Sequence, residues 1–236
     1  MPIQAIPAKD GSTFEAYVAM PALLPAPTIV LIQEIFGVNA EMRAKCDELA
    51  ALGYIAVCPD LFWRLERNVE LTDKTKAEWD KALDLFSRFD VDQGIEDLRA
   101  TVHVYKGHAQ GTSRVAVIGY CLGGKMAYLM AARAPVDCAI SYYGVGLDAL
   151  LDEACNIKKP LLMHIAEQDK FVPQAAQEKI KAGVAPHSRI SVHSYPGVNH
   201  AFARGNGDHY DEAAATLANR RSLEFIEQNL KNAYAA

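Results

Sequence analysis

The run Arg114–Ile118 constrains this chain more than any other stretch, because it leads directly into Gly119-Tyr120-Cys121-Leu122-Gly123-Gly124 and then into a segment of helical composition. A short, β-branched apolar run reads as a buried strand. A helix that starts at once after it forces the chain through a tight, strained turn, and flanking glycines are needed there because side chains would collide with neighbouring backbone. The residue at the tip is Cys121. The following helix would aim its N-terminus at the sulfur, so its dipole and free N–H groups favour thiolate over thiol. The plainer alternative is a small buried thiol packed between glycines.

The rest of the chain repeats the same rhythm. Thr28–Ile32, Tyr54–Cys58 and Pro160–Ile165 are nearly continuous apolar runs like Arg114–Ile118, and Cys138–Tyr142 and Ile190–Tyr195 are weaker ones. Runs of this kind suit parallel strands buried on both faces. Asn39–Leu52, Lys76–Lys106, Gly123–Ala134, Pro173–Ala185 and Tyr210–Asn229 have helical composition, with Leu223, Ile226 and Leu230 illustrating an apolar stripe. Asp90 can cap the second half of the long middle segment, which predicts two helices there. Ile3–Ile6 and Phe14–Ala19 flank the polar turn Lys9-Asp10-Gly11-Ser12 and predict an antiparallel hairpin at a sheet edge. No repeat or linker divides the chain, so residues 1–236 are expected to form a single α/β domain, a mostly parallel central sheet with helices on both faces.

Composition narrows the function classes. With 24 basic against 29 acidic residues the formal net charge is -5, which offers no broad attraction for nucleic acid or an anionic membrane. The most apolar early stretch, Ala22–Ile35, is broken by Pro25, Pro27 and Glu34 and falls short of the roughly 20 residues that span a bilayer. Met1–Tyr17 lacks the order of a signal peptide. Five cysteines without a C-x-x-C pair suggest neither a disulfide framework nor a zinc ribbon, so a reducing, cytoplasmic setting is expected. His193, His200 and His209 lack the spacing of a metal site.

Two residues join Cys121. Asp169 follows the strand Pro160–Ile165, and His200 follows Ile190–Tyr195 within Gly197-Val198-Asn199-His200-Ala201-Phe202. The order nucleophile, acid, histidine, each just beyond a strand's C-terminal end, is that of the α/β-hydrolase arrangement. His200 would take the thiol proton and return it to the leaving oxygen, while Asp169 would fix the imidazole tautomer. Read blandly, Asp169 caps the helix near Pro173 and His200 is a loop histidine satisfied by its neighbours. The amide of Leu122 would face the oxyanion, and the loop Gln33-Glu34-Ile35-Phe36-Gly37 would supply the second donor from Ile35. Glu34 beside such a site either turns away as a capped or paired carboxylate or takes part by accepting a proton.

With these motifs in order, and with Cys58-Pro59-Asp60-Leu61, Tyr142-Tyr143-Gly144-Val145-Gly146 and His200-Ala201-Phe202-Ala203-Arg204 beside them, the chain resembles the dienelactone hydrolase (carboxymethylenebutenolidase) family nearly end to end. The resemblance implies hydrolysis of a carboxylate-bearing unsaturated lactone in chloroaromatic degradation, by a monomeric enzyme without cofactor or metal. It also implies that Glu34 is a switch that removes the thiol proton once the substrate carboxylate engages arginine. Arg204 matches one of the family's two arginines. The other is missing: its position falls near Trp79, with Lys81 and Arg88 as possible substitutes, and the serine expected after the histidine is Ala201. These departures leave open a broad carboxylesterase acting on a less anionic substrate. Phe36, Tyr142, Tyr143 and Trp79 could line the pocket, although Tyr142 also suits ordinary packing. Trp63, Arg64 and Arg67 are further candidates for a pocket edge.

Overall fold

The computed structural model describes residues 3–231. Cα packing divides the chain into two compact units, one ending at Val115 and the other beginning at Ala116. The first holds strands β1 (Ile3–Pro7), β2 (Thr13–Ala19), β3 (Ala26–Ile32) and β4 (Ile55–Pro59), helices α1 (Ala40–Ala51), α2 (Lys76–Arg88) and α3 (Val91–Lys106), and the start of β5 (Gly111–Tyr120). The predicted hairpin forms, with Ile3 opposite Tyr17 and Pro7 opposite Thr13. Its second strand pairs antiparallel with β4, and β4 pairs parallel with β3. Every residue of β4 is buried, which requires cover on both faces of the strand.

Side-chain caps explain where the helices of this unit begin. Asn39 Oδ1 accepts the Met42 N–H at 3.1 Å, Thr75 Oγ1 that of Glu78 at 3.2 Å and Asp90 Oδ1 that of Gln93 at 3.0 Å. The long middle segment therefore splits at Phe89-Asp90, as its sequence predicts.

The second unit holds the end of β5, then α4 (Leu122–Arg133), β6 (Cys138–Tyr142), β7 (Leu161–Ala166), α5 (Gln174–Val184), β8 (Ile190–Tyr195) and α6 (Glu212–Ile226). The strands β5, β6, β7 and β8 pair in that order, all parallel. Ser141 Oγ donates to the Gly124 carbonyl in α4 at 2.8 Å, while the hydroxyl of the next residue, Tyr142, donates to Asn219 in α6 at 3.0 Å. Adjacent residues of a strand point to opposite faces, so α4 and α6 cover the two sides of β6. Two 3-10 turns, Leu147–Ala149 and Leu151–Asn156, lie before β7 where the sequence shows no periodic signal. No helix among the described residues is long and apolar enough to cross a membrane.

Candidate active site

Cys121 stands between the last residue of β5 and the first of α4 with φ 57° and ψ -113°, a region that side-chain-bearing residues rarely occupy. Space explains the glycines around it. A Cβ on Gly119 would lie 1.8 Å from the Gly123 carbonyl oxygen, and one on Gly124 would lie 2.5 Å from that of Tyr142. The strained amide is held from the sheet, since the Cys121 N–H donates to the Tyr142 carbonyl at 3.0 Å. Such strain persists only where the surroundings over-determine it.

Asp169 and His200 meet beyond the ends of β7 and β8. His200 Nδ1 lies 2.7 Å from Asp169 Oδ2, with both residues buried. The other carboxylate oxygen accepts the N–H groups of Phe171 at 2.8 Å and Val172 at 3.2 Å. Asp169 thus ties down its own loop with one oxygen and orients the imidazole with the other. It does not cap α5, whose N-cap is Pro173 without a side-chain bond. Burial by itself pushes His200 toward its neutral form, but the charge of Cys121 and the bond to Asp169 outweigh it, and the imidazole pKa is raised to about 10. This ring therefore holds a proton firmly when Cys121 is anionic.

Two aromatic side chains frame the imidazole. The Tyr143 ring lies 5.0 Å from it and the Phe171 ring 4.8 Å, the latter edge-on and 53% exposed. Phe171 was not among the residues singled out by sequence, and its only signal there was its place two residues after the acid. Tyr143 itself sits at φ 38° and is backed by Phe202 at 5.6 Å. Ala201 takes φ 62° directly after His200, and the turn brings the Arg204 N–H to the Ala201 carbonyl at 3.0 Å. The Arg204 side chain is buried, as is Leu122.

In the first unit, Glu34 and Ile35 are buried in the loop after β3. Gln33 anchors that loop, its Oε1 accepting the Leu61 N–H at 3.1 Å. Gly37 closes it at φ 76°, where a Cβ would lie 1.8 Å from the Val69 carbonyl oxygen. Phe36 packs against Trp79 with ring centres 5.1 Å apart, and the Trp79 indole donates to the Asp73 carbonyl at 3.0 Å.

Several candidates turn out to have other roles. Tyr142 is wholly buried, its hydroxyl 2.6 Å from Ser222 Oγ as well as bonded to Asn219, so it is a packing and hydrogen-bonding residue under α6 rather than a pocket wall. Lys81 is exposed and paired with Glu66 at 2.6 Å, and Arg88 with Asp84 at 2.8 Å, so both candidate replacements for the second arginine are engaged at the surface. Trp63 stacks on Phe14 at 5.5 Å with Arg64 above its ring at 4.0 Å, a structural cluster. Among the described residues no group of three or more His, Cys, Asp or Glu side chains could hold a metal ion.

The model of the dienelactone hydrolase family matches residues 14–230. The chain belongs to the dienelactone hydrolase family. A carboxymethylenebutenolidase of Pseudomonas putida is 41% identical to it, with 94% of each chain covered. A candidate carboxymethylenebutenolidase of Azospirillum brasilense is 49% identical over 96% of this chain and 98% of its own. Among solved structures, a candidate dienelactone hydrolase of Klebsiella pneumoniae superposes with a TM-score of 0.83 at 28% identity, covering 96% of this chain and 99% of that one. Membership brings with it the α/β-hydrolase fold expected from the strand order, and it makes the chain a hydrolase acting on ester bonds.

Proposed function

We propose that the chain opens a small unsaturated lactone, a dienelactone, through an acyl-enzyme on Cys121, with His200 and Asp169 completing the triad. The observation that carries this reading is the strained, glycine-flanked Cys121 between β5 and α4, in the same unit as a buried His200–Asp169 pair 2.7 Å apart whose proton affinity responds to Cys121. In the reaction the thiol proton passes to Glu34 or His200 and the sulfur attacks the lactone carbonyl carbon. The amides of Leu122 and Ile35 hold the oxyanion, and the ring C–O bond breaks with the enolate oxygen as leaving group, which takes up the proton that came from the thiol and frees the base. Water then attacks the thioester, giving up a proton through His200, and the ring-opened acid departs. Arg204 binds the substrate carboxylate, Phe36 and Trp79 form an apolar wall, and the step belongs to the breakdown of aromatic compounds.

A second reading, a carboxylesterase of wider range, is favoured by one observation. Lys81 and Arg88, the two cations near the position that the resemblance gives to a second arginine, are each paired with an acid at the surface. Steady-state rates on a lactone acid and on its neutral methyl ester separate the two. The lactone reading expects the acid to be preferred, the preference to fall roughly tenfold to a hundredfold in Arg204→Ala, and turnover to vanish in Cys121→Ser. Equal rates on both substrates would replace it with the esterase reading.

A further inference from the structure

Under α6 in the second unit, five hydrogen bonds form one chain. Arg221 Nη1 donates to the Tyr195 hydroxyl at 3.2 Å, that hydroxyl meets His164 Nδ1 at 2.8 Å, and His164 Nε2 meets Ser222 Oγ at 2.9 Å. Ser222 Oγ then lies 2.6 Å from the Tyr142 hydroxyl, which donates to Asn219 Oδ1 at 3.0 Å. The two ends set the direction of every link, because a guanidinium only donates and an amide oxygen only accepts. Tyr195 therefore donates to Nδ1, His164 carries its proton on Nε2 and donates to Ser222, and Ser222 donates to Tyr142. Burial, helped by His193 and Arg221, lowers the His164 pKa to about 3, which keeps this link neutral. Hydrogen bonds aligned in this way polarise and strengthen one another.

Three members of the chain, Tyr142, His164 and Tyr195, lie on the neighbouring strands β6, β7 and β8, and each reaches a triad segment through its backbone. The Tyr142 carbonyl holds the Cys121 N–H at 3.0 Å, and the His164 carbonyl holds the N–H of Tyr143, whose ring faces His200, at 2.8 Å. The Tyr195 carbonyl takes the N–H of Glu167, two residues before Asp169, at 3.1 Å. A change in spacing among the ends of β6, β7 and β8 would thus move Cys121, Asp169 and His200 relative to one another.

We propose that this one-directional chain sets the spacing of the three strand ends for the hydrolytic reaction, with Ser222 as its central positioning residue. The inference rests on the Cys121–His200–Asp169 reading. Its test measures kcat, KM and thermal unfolding on an activated ester for wild type, Cys121→Ser, Ser222→Ala, Asn219→Ala and the triple variant Ser222→Ala/His164→Leu/Tyr195→Phe. Ser222→Ala leaves the buried His164 Nε2–H without its acceptor and the Tyr142 oxygen without its donor where water cannot reach, and kcat is expected to fall roughly tenfold or more with KM within about twofold. Asn219→Ala gives a smaller loss, because Asn219 is exposed and water can accept from Tyr142. The triple variant removes the stranded N–H together with the Tyr195 hydroxyl that donated to Nδ1, and recovers stability, yet kcat stays low. Recovery of kcat together with stability would mean that the chain only fills the core, and would overturn the proposal. So would Ser222→Ala at the wild-type kcat beside an inactive Cys121→Ser. Full activity in Cys121→Ser would instead overturn the triad reading, and this inference with it.

Discussion

Asp97 on α3 and Asp169 after β7 are both buried carboxylates met by three N–H donors, yet they are built for different ends. Asp97 accepts from the Trp63 indole at 2.8 Å and from Arg64 Nε and Nη2 at 3.1 and 2.9 Å. A guanidinium keeps its charge at any ordinary pH, so this pair is a fixed clamp between α3 and the loop after β4. Asp169 accepts from two backbone amides and from His200, a partner that can gain and lose its proton. Burial of a carboxylate is therefore no signature of chemistry. What separates the two sites is whether the donor facing the acid can change its protonation during a reaction.

Breaking each acid tests that contrast. Asp169→Asn is expected to lower kcat by roughly 10⁴, because an amide facing Nδ1 stabilises the wrong tautomer, while a side-chain oxygen can still hold the Phe171 and Val172 amides, so that the loss of stability is confined to the Asp169 share of the His200 interaction. A variant that loses stability and keeps its rate would reverse the roles given to the two acids. Asp97→Asn is expected to do the opposite, costing about 3 kcal/mol in denaturant unfolding with kcat unchanged, since it leaves a partly buried guanidinium without its main counterion.

Stability against pH sharpens the comparison further. The His200 pKa is raised from 6.5 to about 10 in the folded chain. A raised imidazole pKa means that the folded form binds the proton more tightly, so its contribution is complete below about pH 6.5 and is lost as pH rises through about 10. Unfolding free energies measured between those limits should fall in wild type. The decline should begin at lower pH in Asp169→Asn, which removes one cause of the shift, and keep its wild-type course in Asp97→Asn. A profile flat across this range in wild type would contradict the raised His200 pKa, to which Cys121 and then Asp169 contribute.

Much of this was legible in the residues alone. The glycines flanking Cys121 predict the strained turn, because the collision that a Cβ would cause at Gly119 is local and depends on few neighbours. Asp90 predicts the break between α2 and α3 for the same reason, a cap acting within three residues. The Tyr142 assignment shows the limit. Its place at the end of β6 suits a pocket wall, but strand alternation alone does not say which face α6 covers, and the hydroxyl was claimed by Ser222 and Asn219 about eighty residues away. Lys81 and Arg88 show it again, since their pairing with Glu66 and Asp84 at the surface follows from the fold and not from their place in the sequence.

By itself the sequence determined the alternation of strands and helices, the elbow at Cys121 and the order in which Cys121, Asp169 and His200 follow their strands, because periodicity, capping and glycine sterics act between near neighbours. Only the tertiary structure decided which polar groups share a buried space: Asp97 with Arg64, Asp169 with His200, and His164 with Ser222 and Tyr195. Those pairings depend on helices and loops folding back across the strands, and hydrogen bonding discriminates partners over tenths of an ångström that no residue spacing encodes.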